Sequence, residues 1–220
     1  MSTDNPFPQP PDNIQVNTET MAAGTKIWRV HQSKFGEAAF NPGFGDARFS
    51  PIQNALGDYI PTLYAGETID VALMESVYHD VPHTTDPDSK EFDISKFDEQ
   101  MLSELTLTQD VVVVKLYGPA LRKLGIKEAD LIHSEADEYA NTRVWAERIH
   151  YSIPDAQGIK WISKQGDGAF ACMYFGDRVG ENVFSISTAG TLLTESTTAI
   201  ERIQYLADEM GVQLVDPGTS

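Results

Sequence analysis

The stretch TLYAGETIDVALMESV, residues 62–77, places a strand pattern directly before a helix pattern. Residues 62–65 predict a short strand, and the apolar residues of 69–77 recur at the 3.6-residue spacing of a helix packed on a core. Thr68 is a suitable N-cap for this helix, because its hydroxyl can accept a hydrogen bond from the first turn. The stretch therefore favours an α/β or mixed α+β fold.

Strand and helix patterns continue on both sides of this stretch. Residues 79–104 are acidic and rich in turn-forming residues, which favours a surface excursion or lid over a core element. Apolar alternation and runs of valine predict further strands over residues 27–31, 110–116, 158–163, 169–175 and 212–215. Helices are predicted over residues 119–124, 137–150 and 198–210, the last with the capping-box spacing of Thr198 and Glu201 and with Gly211 at its end.

The chain is expected to form one domain with a loose N-terminal arm. Its 220 residues, 41% hydrophobic and 10% aromatic, suffice for a real core. No internal repeat or linker divides the sequence, so a single domain is predicted over residues 23–220. Residues 1–22 are rich in proline and have almost no apolar periodicity, which predicts a flexible arm.

The sequence contains no pattern for export or membrane insertion. A run of about 18 apolar residues is absent, and the N-terminus lacks the basic start and apolar stretch of a signal peptide. Cys172 is the only cysteine, so no internal disulfide can form. We therefore expect a cytoplasmic protein without a membrane partner.

The distribution of charge indicates what the protein binds. A net charge of −17 argues against direct binding of nucleic acid, which needs a basic surface. Residues 21–50 nevertheless carry four basic against two acidic residues, whereas residues 51–110 carry two basic against thirteen acidic residues. A locally positive segment in an acidic protein favours a small anionic ligand, although a need for solubility alone would also explain the acidic remainder.

Several common active-site motifs are absent from the sequence. No GxxxxGK[ST], GxGxxG, HExxH or GxSxG pattern occurs. His79 and His83 have a spacing that suits a metal on a helix, but Pro82 between them disfavours that helix, so no metal is expected. Cys172 lies in the apolar run AFACMYF and is predicted to be a buried hydrophobic residue rather than a nucleophile.

Arg48, Tyr64 and Glu75 form the remaining candidate constellation. Arg48 closes a glycine-rich segment, and its guanidinium could hold a phosphate through two parallel hydrogen bonds. Tyr64 offers an aromatic face and a hydroxyl, while Glu75 lies on the apolar side of its helix, where a carboxylate needs a partner. Spacing alone favours a structural Arg48–Glu75 salt bridge beside a core tyrosine over a binding or catalytic role.

Five motifs in order resemble the RES domain family, which is named after an arginine, a glutamate and a serine. They extend from about residue 26 to residue 177 and are WRVH (28–31), FNPGFGDARFSP (40–51), TLYAGET (62–68), ALMESVYH (72–79) and GIKWIS (158–163). The resemblance implies a single mixed α+β domain similar to ADP-ribosyltransferase toxins, with a cleft for NAD⁺. It also implies a toxin whose partner is an Xre-type helix-turn-helix antitoxin.

The resemblance assigns roles to individual residues. Glu75, Arg48, Tyr64 and Ser163 match the family's catalytic positions, and Arg29 matches a further basic position that would help to bind NAD⁺. Phe49-Ser50 departs from the family pattern, in which Trp-Asn commonly follows the arginine. Residues 79–104 and both tails lie outside the pattern, which leaves partner and acceptor specificity open.

The implied reaction is cleavage of the nicotinamide–ribose bond of NAD⁺, with NAD⁺ as a substrate. A carboxylate such as that of Glu75 would stabilise the oxocarbenium-like centre, as in glycoside hydrolysis. The sequence does not distinguish a phosphorylase or glycohydrolase from an ADP-ribosyltransferase that modifies a protein. A non-catalytic RES-like module that binds a nucleotide or a protein is the alternative from a different class.

Overall fold

A computed structural model describes residues 7–79, 81–82, 84–164, 168–216 and 218. His83 of the predicted histidine pair lies outside these residues, as do parts of the predicted arm and lid. The strands are β1 (Thr18–Met21), β2 (Lys26–Gln32), β3 (Ile52–Gln53), β4 (Tyr59–Ile60), β5 (Thr62–Gly66), β6 (Glu91–Asp93), β7 (Gln100–Leu107), β8 (Val111–Lys115), β9 (Gly158–Ile162), β10 (Phe170–Phe175), β11 (Phe184–Leu192) and β12 (Gln213–Val215). The helices are α1 (Ile69–Met74), α2 (Pro119–Leu124), α3 (Glu128–Leu131), α4 (Tyr139–Ser152) and α5 (Thr197–Met210).

A mixed sheet of eight strands organises the domain, in the order β1-β8-β9-β10-β5-β2-β7-β11. Strands β8 and β9 are parallel, and every other neighbouring pair in this sheet is antiparallel. Two small two-stranded sheets, β3-β4 and β6-β12, complete the described strands. The prediction of a single mixed α+β domain is confirmed.

The sheet is buried on both faces, because successive residues of its central strands enter different hydrophobic clusters. Val114 and Met173 pack on one face with Trp145 of α4, whereas Val113 and Tyr174 pack on the other. A third cluster joins α1 to α5 and to the β6 region. None of the helices in the described part of the chain is both long and apolar enough to span a bilayer.

The prediction of a loose arm over residues 1–22 is wrong for its later part. Strand β1 pairs with β8 at one edge of the large sheet, and Ile14 is buried in the core. Trp145 Nε1 also donates a hydrogen bond of 2.8 Å to the Pro8 carbonyl. Because these residues complete the sheet edge and cover α4, the segment packs despite its prolines.

The prediction of a surface excursion over residues 79–104 is wrong for residues 91–104. This segment contains β6 and most of β7, and β7 lies between β2 and β11. The strand was missed because it buries polar side chains. Ser103 Oγ lies 2.8 Å from His31 Nε2, and Glu104 accepts a hydrogen bond of 3.0 Å from Lys26.

The predicted helix boundaries are partly correct. Thr68 caps α1, with its hydroxyl accepting a 3.2 Å hydrogen bond from Val71 N, but the helix ends at Met74 rather than at residue 77. Helix α5 ends at Met210 as expected, and its C-cap Gly211 adopts a left-handed conformation. Its N-cap is Ser196 and not Thr198, because the Ser196 hydroxyl accepts from the Ala199 amide.

Candidate active site

A cavity of about 690 Å³ opens beside the end of α1, and we call it the α1 cavity. Its volume lies within the range of about 300–1,000 Å³ that is usual for small-molecule sites. The segment of residues 40–51, which we call the glycine-rich loop, forms one wall. Arg29, Arg48, Tyr64 and Glu75 all line the cavity, so the structure brings together four of the five predicted site residues.

Arg48 and Glu75 face each other in the α1 cavity. The Arg48 Nη1 atom lies 3.6 Å from Glu75 Oε2, and the two side chains are only 14% and 19% exposed. Arg48 Nε is buried without a hydrogen-bond partner among the described residues, and its guanidinium carbon lies 5.6 Å from the centre of the Tyr139 ring. The salt bridge is therefore a single long contact that leaves donor capacity on Arg48.

The first turn of α4 holds the part of the glycine-rich loop that carries Arg48. The Thr142 hydroxyl donates a hydrogen bond to the Arg48 carbonyl, and Arg143 forms an ion pair with Asp46. Arg143 Nη1 also lies 3.5 Å from the Ala47 carbonyl. Because Thr142 is fully buried, its bond fixes the backbone of Arg48 against a rigid helix.

Tyr64 lies in the middle of β5, where its neighbours restrict its ring. The Tyr64 hydroxyl accepts a 3.2 Å hydrogen bond from the Phe49 amide. Its ring meets Trp161 of β9 edge to face, with 6.0 Å between the ring centres. Burial raises the pKa of Tyr64, so the phenol stays protonated at neutral pH, and its hydroxyl also interacts with the Ser50 side chain.

Glu75 is the C-cap of α1 and directly follows Met74, the last residue of the helix. The Glu75 backbone amide donates a 2.9 Å hydrogen bond to the Val71 carbonyl and so completes the last helical turn. Val71, Leu73 and Met74 of the same helix are buried. These core contacts anchor the helix, which places the Glu75 carboxylate in the cavity rather than in solvent.

Arg29 contributes a second buried cation from β2. The residue is 8% exposed, and its Nη1 atom donates a 2.7 Å hydrogen bond to the Glu37 carbonyl. Burial lowers the pKa of Arg29 to about 10, which still leaves the guanidinium charged at neutral pH. The α1 cavity therefore contains two arginines and one glutamate.

Ser163 is the predicted site residue that the structure does not place on the cavity wall. It follows β9 directly, is 2% exposed, and donates a 2.9 Å backbone hydrogen bond to the Ala169 carbonyl. Trp161 and Lys164, which are close to Ser163 in the chain, line the cavity, but Ser163 is not among the described residues that do. A contact between Ser163 and a ligand stays a prediction.

Sequence reasoning missed several residues of the cavity wall. Tyr139 contacts Arg48 from α4, and the indole Nε1 of Trp161 is buried without a partner among the described residues. Lys34 and Lys164 add exposed positive charge at the rim. Trp161 lies within the quoted motif GIKWIS, which could have indicated it, but no local pattern marks Tyr139.

No group of three or more metal-ligating side chains occurs in the described portion.

A family model described as the RES domain matches residues 26–192. The chain belongs to the RES domain family. The match extends beyond the core of residues 26–177 that the motifs indicated, and it ends with the last residue of β11. The RES domain therefore includes β7 and β11, two of the strands that sequence patterns did not indicate.

This RES domain is similar in fold to a chain in the crystal structure of the M. tuberculosis MbcT–MbcA toxin–antitoxin complex. The TM-score is 0.57 at 12% sequence identity, and the alignment covers 86% of this chain and 92% of that chain. At this identity the similarity supports the fold alone. A comparison with curated proteins gave no sequence match.

Proposed function

We propose that this RES domain is an enzyme that cleaves the nicotinamide–ribose bond of NAD⁺ and acts as the toxin of a toxin–antitoxin pair. The meeting of Arg48 and Glu75 in one cavity is the observation that carries the proposal. Family membership supports the chemistry, and the similar fold in a toxin–antitoxin complex supports the biological role.

The polar groups of the α1 cavity suit a dinucleotide. A buried donor without a partner costs about 1–3 kcal/mol. Within the part of the chain that the structure describes, Arg48 Nε is such a donor. A pyrophosphate held by Arg48 and Arg29 would satisfy this donor and would counter their two positive charges. Two carboxylates of the described residues line the cavity, and of these Glu75 lies beside Arg48 whereas Asp46 is paired with Arg143. Tyr64 would orient the nicotinamide riboside end through its protonated hydroxyl.

Glu75 would stabilise the charge that develops when the glycosidic bond breaks. The bond between nicotinamide nitrogen and C1 of ribose breaks with its electron pair on the nitrogen, so nicotinamide leaves as a neutral molecule. The ribose carbon becomes oxocarbenium-like, and a nearby carboxylate lowers the energy of that centre. Water then yields ADP-ribose and a proton, whereas phosphate yields ADP-ribose phosphate.

The proposal is tested by measuring nicotinamide release from NAD⁺ by the purified protein. We expect Glu75→Gln to lower the rate at least about 100-fold, because it removes the stabilising charge. Glu201→Gln is the matched control, since Glu201 is an exposed residue of α5 outside the cavity. Absence of nicotinamide with the wild-type protein, or a wild-type rate with Glu75→Gln, would refute the enzyme proposal.

The same assay separates the alternatives that share this bond cleavage. A requirement for phosphate identifies a phosphorylase, release in its absence identifies a glycohydrolase, and label transferred from NAD⁺ to a protein identifies an ADP-ribosyltransferase. Binding of NAD⁺ without any release identifies a non-catalytic module. Ser163→Ala tests the remaining predicted residue, for which we expect a higher KM for NAD⁺.

The proposed partner is an Xre-type helix-turn-helix antitoxin with a basic contact surface. The excess of eleven acidic residues over residues 51–110 would attract such a surface. We expect the amount of co-purified antitoxin to fall as the salt concentration of the wash rises. Retention that is independent of salt would contradict this electrostatic contribution.

A further inference from the structure

An exposed phenylalanine stands at the mouth of the α1 cavity. Phe44 lines the cavity, yet it is 69% exposed, whereas Arg29 and Tyr139 on the same cavity wall are buried. Single exposed apolar side chains are common and need no special explanation. The position of this one, at the open side of a cavity rich in arginine, suggests a role in binding.

The backbone of Phe44 is held firmly although its ring is not packed in the core. The Asn41 side chain accepts hydrogen bonds from Gly43 N at 3.0 Å and from Phe44 N at 2.7 Å, and it donates one of 2.8 Å to the Phe44 carbonyl. Gly43 has a φ of +125°, and a Cβ atom there would lie 2.9 Å from Tyr59 Cγ. The glycine-rich loop therefore presents the Phe44 ring from a fixed main chain, which lowers the entropy lost on binding.

The proposed reaction determines which part of the substrate reaches Phe44. The scissile bond lies at Glu75, whose side chain is 19% exposed, and the pyrophosphate lies at Arg48, whose side chain is 14% exposed. Both side chains are largely buried, so the nicotinamide riboside and the pyrophosphate would both lie below the rim of the cavity. The adenosine end of an elongated dinucleotide then extends to the mouth, where Phe44 and Lys34 are exposed.

We propose that Phe44 stacks on the adenine ring and is a substrate-binding residue of this RES domain. The inference rests on the proposed function for the choice of dinucleotide. An aromatic face with no hydrogen-bonding group binds any flat base of similar size, so stacking gives affinity for the base without selecting its exocyclic groups. Loss of such a contact is expected to weaken binding by roughly tenfold.

Calorimetric titration with ADP-ribose and with nicotinamide mononucleotide tests this assignment without any need for turnover. We expect Phe44→Ala to bind ADP-ribose about tenfold more weakly, and Phe44→Trp to bind it as the wild type does. Nicotinamide mononucleotide has no adenine, so its affinity should be the same in all three proteins. Tyr151→Ala is the matched control, because Tyr151 is 70% exposed and lies outside the cavity.

Each outcome separates the adenine contact from the proposed reaction. Wild-type affinity of Phe44→Ala for ADP-ribose would overturn the assignment, and so would an equal loss of affinity for both ligands, which would indicate a disturbed loop. If the wild-type protein binds ADP-ribose with dependence on Phe44 but releases no nicotinamide, the adenine contact stands and the enzyme proposal fails. If it releases nicotinamide with the same KM in Phe44→Ala, the reverse holds.

Discussion

The hydrogen bond from Thr142 to the Arg48 carbonyl links helix α4 to the candidate active site, and Thr142→Val removes it. The substitution replaces the buried hydroxyl with a methyl group of similar size and leaves the partly buried Arg48 carbonyl without this donor. An unpaired buried acceptor costs about 1–3 kcal/mol. For a domain of this size, that cost corresponds to a melting temperature about 2–12 °C lower.

The assay combines thermal unfolding with calorimetric titration of ADP-ribose. Thr142→Ser is the matched control, because it keeps the hydroxyl and loses one methyl group, at a cost of about 0.8 kcal/mol. We expect both variants to be less stable than the wild type, but only Thr142→Val to bind ADP-ribose about tenfold more weakly, because Arg48 is displaced. A Thr142→Val protein with wild-type stability, or a Thr142→Ser protein with an equal loss of affinity, would refute the reasoning.

Two further predictions concern the loop backbone and the response to pH. Gly43→Ala should lower the free energy of unfolding by at least about 2 kcal/mol, because a Cβ would clash with Tyr59. Gly57 has a φ of +86° but lies in open space, so Gly57→Ala should lower the free energy of unfolding by only about 1 kcal/mol. Equal urea midpoints for the two variants would contradict this prediction. Burial lowers the pKa of His150, which lies beside Asp177, below its value in the unfolded chain. The unfolded chain therefore takes up a proton more readily than the folded protein does. The stability that neutral His150 contributes is lost as the pH falls through the pKa of the folded state. Unfolding free energies measured from about pH 7 to pH 5 should therefore fall less steeply in His150→Gln, and parallel curves would show that His150 does not contribute.

Local sequence patterns predicted the elements whose side chains alternate or repeat cleanly. The valines of β8 and the capping threonine before α1 gave correct assignments, because burial and capping there follow simple periodic rules. Strand β7 was missed because its buried Ser103 and Glu104 break the apolar pattern. Ser103 is 72 residues from its partner His31 in the chain, and Glu104 is 78 residues from its partner Lys26. No local pattern can reveal such long-range compensation.

The candidate site was predictable in its members but not in its support. Spacing alone left Arg48 and Glu75 as a possible structural ion pair, and the structure contains that ion pair within a cavity. The two interpretations are therefore compatible, since one long contact leaves Arg48 able to bind a ligand. Thr142 and Tyr139 could not be predicted, because their role arises only when α4 docks against the glycine-rich loop.

The docking of α4 on the glycine-rich loop also has an evolutionary consequence. Asp46 and Arg143 are separated by 97 residues but form one ion pair, and Arg48 depends on Thr142 across 94 residues. A substitution on one side changes which residues are acceptable on the other, so the two segments are constrained to vary together. If either the glycine-rich loop or α4 alone were exchanged between distant relatives, the two surfaces would no longer fit each other. Such an exchange would be selected against, even if each segment functions in the protein it came from.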